Sequence, residues 1–145
     1  MTAMVRAIIV IIVAGLGLAL FTRPAAATQD EAVDCAAAMT AAAMREGYRL
    51  RNSDNSRLEE GDVMNYDVTF NRGNRYLILA CGDSRAVDLD IYLYDEDGNL
   101  IDRDQQTDNR PLVTVVPRWT GPFRVRVKMY EARGAAHYTM AILVK

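Results

Sequence analysis

The chain has 145 residues, 50% of them hydrophobic and 25% charged, with 17 basic against 19 acidic residues and a net charge of −2. That length fits one domain around a single core. The acidic balance, with no basic tail or Lys/Arg cluster along the sequence, excludes the phosphate footprint of a nucleic-acid-binding protein, and a single histidine excludes His-rich zinc sites.

At the N-terminus, Arg6 precedes a continuously apolar stretch from Ala7 to Phe21, with the branched run Ile8 to Val13 at its centre. About fifteen helical residues reach only ~22 Å. Spanning the ~30 Å hydrocarbon core takes about 20 residues, so the segment has the length of a signal-peptide core. Thr22-Arg23-Pro24 breaks the helix and Ala25-Ala26-Ala27 offers the small residues a signal peptidase accepts. Cleavage is therefore expected between Ala27 and Thr28; the alternative is an uncleaved anchor. Cleavage removes Arg6 and Arg23 and no acid, leaving a more acidic chain in the periplasm or secreted, with no membrane segment. The expected organisation is a signal peptide over 1–27, a helix and linker over 28–57 and a β-sandwich over 58–145.

Residues 29–48 are rich in alanine, with acids first and Arg45 late, the charge order that suits a helix dipole. A helix is expected from about Asp30 to about Glu46, stopped at Gly47. At 100° per residue Val33, Ala36, Ala37, Thr40, Ala43 and Met44 share a stripe, with Cys35 and Met39 at its edge, and this stripe should pack on the sheet. Cys35 and Cys81 are an even pair in an exported chain and are expected to form a disulfide that ties the helix to the sheet; two buried thiols are the alternative. Leu50 to Glu60 is polar and reads as a linker.

After Gly61 the pattern turns to period two. Met64, Tyr66, Val68 and Phe70 alternate with polar residues, and Asn71 to Asn74 is a turn into Tyr76–Cys81. Val87, Leu89, Ile91 and Leu93 alternate with Asp88, Asp90, Tyr92 and Tyr94. Asp95 to Asn99 is a hairpin turn by composition, with a short return strand to about Arg103. Leu112–Val116 lies between Pro111 and Pro117, as a buried strand flanked by loops would. Phe123, Val125, Val127 and Met129 alternate with Arg124, Arg126, Lys128 and Tyr130, and Tyr138 to Val144 makes the last strand. About seven strands with this punctuation indicate an all-β sandwich.

The order Gly61-Asp62, Gly73-x-x-Tyr76, Asp88-Leu89-Asp90-Ile91-Tyr92-Leu93-Tyr94-Asp95, Gly98, Gly121-x-Phe123-x-Val125-x-Val127 and Tyr138-x-Met140-x-Ile142 resembles the bacterial pre-peptidase C-terminal domain. The resemblance covers about residues 58–144. It implies a jelly-roll-like antiparallel β-sandwich of the kind that usually follows a secreted protease and serves it as a non-catalytic module. This chain departs from that arrangement: it has no protease domain, adds a helix and a cysteine pair, and carries Phe123 where tyrosine is more usual.

The candidate metal ligands are Asp88 and Asp90 with Glu59, Glu60 and Asp62 upstream, since calcium takes six to eight hard oxygens, and the resemblance points to calcium near the linker before the first strand. The competing reading has Asp88 and Asp90 as strand-end acids or as cross-strand partners of Arg124, Arg126 and Lys128. Asp95-x-Asp97-x-Asn99 lacks the glycine and glutamate spacing of an EF-hand loop. His137 is the sole histidine available as a base and reads as structural. Seven tyrosines and Trp119 could line a glycan- or peptide-binding surface, with Tyr92, Tyr94 and Tyr130 facing away from the core. The resulting expectation is a non-catalytic exported binding or accessory domain with no cofactor beyond possible calcium and no nucleic-acid partner; its partner would be an exported protein, glycan or peptide. The alternative is a structural or protective envelope protein that engages another exported protein.

Overall fold

The computed structural model describes residues 27–145; the expected signal segment, apart from Ala27, lies outside the described residues. Helix α1 (Gln29–Arg45) is followed by β1 (Arg49–Leu58), β2 (Val63–Phe70), β3 (Tyr76–Gly82), β4 (Ala86–Tyr94), β5 (Leu100–Asp104), β6 (Leu112–Val115), β7 (Gly121–Ala132) and β8 (Ala136–Val144). One sheet has the order β1-β8-β3-β6 and the other β2-β7-β4-β5, every pairing antiparallel. This is the jelly roll, in which successive strands pass between two packed sheets except at the β4–β5 hairpin, which stays in one.

The alternation read from sequence sets the inner faces. Leu89, Ile91 and Leu93 of β4 and Phe123, Val125, Val127 and Met129 of β7 meet Tyr76 and Ile78 of β3 and Tyr138, Met140 and Ile142 of β8 between the sheets. Strands β3 and β8 are buried on their other face as well, because α1 lies across it. Ala36, Ala43, Cys35 and Met39 cover Leu77, Leu79, Cys81, Ala141 and Leu143 there. Cys35 and Cys81 are disulfide-bonded, with Cα atoms 5.9 Å apart.

The bond to β3 also sets the rotation of α1. The residues it turns under are Ala32, Ala36 and Ala43, whereas Ala37 and Met44 of the expected stripe, the latter 52% exposed, line an open groove between the helix and β1 with Val33 and Thr40. Thr28 caps the helix, its hydroxyl accepting the Glu31 N–H at 3.2 Å. At the other end the Lys145 ammonium donates to the Glu46 carbonyl at 3.0 Å, favourable for a cation at a helix C-terminus.

The expected linker is instead a strand. Residues 49–58 form β1 on β8, so the sandwich begins inside the segment read as a connection. An edge strand wet on most of both faces needs no apolar alternation, and its arginines and acids, with a register shift between Leu50 and Asn52, discourage pairing with another chain. Side chains then close the two flanks of the sandwich. Tyr66 donates to Asp54 at 2.9 Å and meets the buried Tyr138 hydroxyl at 2.6 Å; burial above all pushes both phenols up. On the opposite flank the Asp104 and Asp102 carboxylates of β5 accept the Leu112 and Thr114 N–H groups of edge strand β6, each at 3.0 Å. These bonds satisfy amides that the sheet leaves open.

Candidate functional site

With α1 covering one sheet, the outer face of the sheet β2-β7-β4-β5 is the uncovered one among the described elements. Alternation puts Tyr92 and Tyr94 of β4, Arg124, Arg126, Lys128 and Tyr130 of β7, and Asn65 and Asp67 of β2 on it. The aromatic and cationic side chains interleave. The Arg126 guanidinium lies 5.3 Å from the Tyr94 ring and donates to Asn65 at 3.0 Å, and the Lys128 ammonium lies 5.0 Å from the Tyr130 ring. Arg124 grips Asp67 through two hydrogen bonds at 2.7 and 3.2 Å. That grip holds the Asp67 carboxyl below the usual aspartate range. At one end of this face a cleft of about 460 Å³ opens between Tyr94, Glu96, Phe123, Arg124 and Arg126. Its wall is the β4–β5 turn, where the Asp95 carboxylate accepts the Asp97 and Asn99 N–H groups at 3.0 and 2.8 Å and the Asn99 amide at 3.0 Å. Those bonds, the Asn99 side chain first, hold Asp95 below its ordinary value and use its oxygens within the turn.

The proposed metal ligands are only partly brought together. Asp88 and Asp90 are neighbours on β4, 6% and 2% exposed, and each has one buried oxygen, Oδ1, without a hydrogen-bond partner. Glu59 and Asp62 sit in the β1–β2 turn, where Asp62 accepts the Glu59 N–H at 3.0 Å, beside a separate hollow with Arg57 and Ala135. Glu60 accepts the Ala132 N–H at 3.3 Å, and among the described residues no three His, Cys, Asp or Glu side chains are grouped to hold a metal ion, so the five do not form a single ligand set. Nor do cross-strand cations neutralise the pair: Lys128 stands opposite Asp90, but Glu131 stands opposite Asp88.

Burial pushes both carboxyls up. Asp90, Asp108 and Glu131 push Asp88 further, while the Tyr92 hydroxyl at 3.0 Å and Lys128 partly offset the rise at Asp90. A carboxyl whose folded-state value is raised adds stability where it is protonated and loses it as pH climbs through that value. Asp88→Asn places an amide donor against Asp90 and should raise stability near pH 7 by about 1 kcal/mol. The gain should vanish as pH falls to the ordinary aspartate value of 3.8, where a proton does the same work. Denaturant melts of both proteins across that pH range measure it, and equal stability at pH 7 would contradict it.

His137 faces buried Asp83, with Nδ1 3.3 Å from Oδ2, and no hydrogen bond joins it to a serine, threonine or cysteine among the described residues. Asp83 escaped the sequence reading. Its carboxylate accepts the Arg85, Ala86 and His137 N–H groups at 3.0, 3.3 and 3.1 Å and so pins the β3–β4 turn to β8. The available signal was its place in the turn Gly82-Asp83-Ser84-Arg85, since an aspartate bonding the amide two residues on is a common turn device. Next to it Gly82 has no space for a side chain, because a Cβ there would stand 2.3 Å from that of Ala86.

No family model and no curated protein matches the chain. Among solved structures, it is similar to PliG of Aeromonas hydrophila, a periplasmic lysozyme inhibitor of g-type lysozyme. The two share 13% identity over 69% of this chain and 90% of that one, with a TM-score of 0.52. It also aligns with a de novo designed double-stranded β-helix at 14% identity, over 63% of this chain and 99% of that one, with a TM-score of 0.36. The PliG likeness is one of fold.

Proposed function

We propose that this chain is an exported, non-catalytic binding protein that engages another exported protein through the uncovered face of the sheet β2-β7-β4-β5. The observation that carries the reading is the composition of that face: Tyr92, Tyr94 and Tyr130 interleave with Arg124, Arg126 and Lys128 beside a 460 Å³ cleft. Tyrosine and arginine dominate the energetic centres of protein interfaces. The disulfide and the signal-peptide pattern support an oxidising compartment. The pre-peptidase C-terminal resemblance supports an accessory module rather than an enzyme.

A g-type lysozyme is the first partner to test, because PliG, of the same fold, inhibits that enzyme. Residues 28–145 should bind immobilised g-type lysozyme and slow its lysis of a cell-wall suspension. Arg126→Glu, which reverses a charge and frees the Tyr94 face, should weaken binding about 30-fold, as loss of an interface centre does. Absence of both binding and inhibition would remove lysozyme as the partner. Wild-type affinity in the Arg126→Glu variant would move the interface off this face.

A further inference from the structure

At the end of the sandwich where β6 runs into β7, cations distant in sequence are brought together. The β2–β3 loop donates the Gly73 N–H to the Pro117 carbonyl at 3.1 Å and the Arg72 N–H to the Thr120 hydroxyl at 2.9 Å. Arg75 and Lys145 exchange backbone bonds at 2.9 Å, and Arg49 stands opposite Val144. The exposed Arg49, Arg51, Arg72, Arg75, Arg118 and Lys145 therefore share one end. Among the described residues none of them has a side-chain carboxylate within ion-pairing distance, the Arg–carboxylate pair present being that of Arg124 with Asp67. Glu46 and the terminal carboxylate are acids of this corner, and the Glu96 carboxylate of the β4–β5 turn also reaches this end, beside Gly121 and Trp119, so the six cations outnumber the acids there. Beside the cations Trp119 is 37% exposed and Val116 50%, flanking an apolar hollow of about 350 Å³ with Ile101 and Pro117.

Arginine matches phosphate oxygens in a planar fork, tryptophan settles at the headgroup level of a bilayer, and an aliphatic side chain beside it gains from shallow burial. At the opposite end Glu31, Glu59, Glu60, Asp62 and Glu131 outnumber Arg57, Arg85 and Arg133, so the molecule's own field would turn the basic end toward a negative surface. We propose that this end docks the protein on an anionic phospholipid surface, with Arg72, Arg75 and Arg118 on lipid phosphates and Trp119 at the headgroups. An acidic protein would be served by the arginines alone; the exposed Trp119 and Val116 among them favour the bilayer. The surface adjoins the cleft at the end of the tyrosine and arginine face, since Phe123 lines both hollows.

Residues 28–145 contain both sheets, the helix and the disulfide, and serve as the test protein. Vesicles of equal parts phosphatidylglycerol and phosphatidylcholine should retain it at about 50 mM salt and release it at about 0.5 M, where screening is short-ranged. Phosphatidylcholine vesicles should not retain it. Trp119 is the only tryptophan, so its emission should shift to the blue on binding. Arg72→Glu with Arg75→Glu should weaken retention about 25-fold or more, at about fivefold for each cation removed, with an unchanged melting temperature. Absence of retention at low salt would overturn the proposal, as would retention that neither moves Trp119 emission nor responds to the double variant. Capture of soluble polyglutamate without retention by vesicles would also overturn it, in favour of an acidic protein partner.

Discussion

Replacing both cysteines, Cys35→Ser with Cys81→Ser, should lower stability by about 4 kcal/mol, the chain-entropy value for a loop of this size, and the melting temperature by about 15 °C. The loss should be concentrated in α1. The helix turns mainly alanines onto the sheet, Ala32, Ala36 and Ala43 with Met39 half-buried. An alanine methyl contributes on the order of one methylene's worth of burial, ~0.8 kcal/mol, and a helix of this length is marginal in water by itself. Covalent attachment at Cys35 therefore does much of the docking. In the double variant, amide exchange over 29–45 should accelerate far more than in β4 or β7. The sheet face of Leu77, Leu79 and Leu143 should become accessible to a hydrophobic dye. Unchanged protection of the helix would mean that packing alone holds it. In the unmodified protein, denatured without reductant, thiol titration should find no free cysteine.

Asp83→Ala should cost about 3 kcal/mol, or about 10 °C in melting temperature. The carboxylate is fully buried and receives three backbone N–H groups from two places in the chain, so its removal strands the donors at 85 and 137, while the Ala86 N–H keeps its 3.0 Å bond to the residue 83 carbonyl. Asp83→Asn retains one acceptor oxygen but turns an amide donor toward another donor, and should lose roughly half as much. Chemical unfolding of the three proteins reads the series. A loss below about 1 kcal/mol for the alanine variant would show that water replaces the carboxylate.

The strands from Val63 onward were legible because their inner faces are apolar and their outer faces polar, and a period of two has no other economical reading. Tyr92, Tyr94 and Tyr130 could be placed on the outer face for the same reason. The segment over 49–58 was not legible as a strand. Its edge position buries little of either face, so its polar residues carry no periodic signal. Asp88 and Asp90 could be placed side by side, but their cross-strand neighbours could not, since register and two bulges near Asp88 put Glu131 rather than a cation across from it.

By itself the sequence determined the fold class, the alternation of inner and outer residues, the helix and the pairing of its cysteine with β3, because these depend on local periodicity and on there being just two thiols. Only the tertiary structure decided which sheet face stays open, how Asp83 joins a turn to a distant strand, and where the arginines gather. Arg49, Arg72, Arg75 and Arg118 are scattered along the chain and make no basic run. They meet because the jelly roll carries β1, β3, β6 and β8 to a common end, and charge density in space depends on that topology rather than on spacing in sequence.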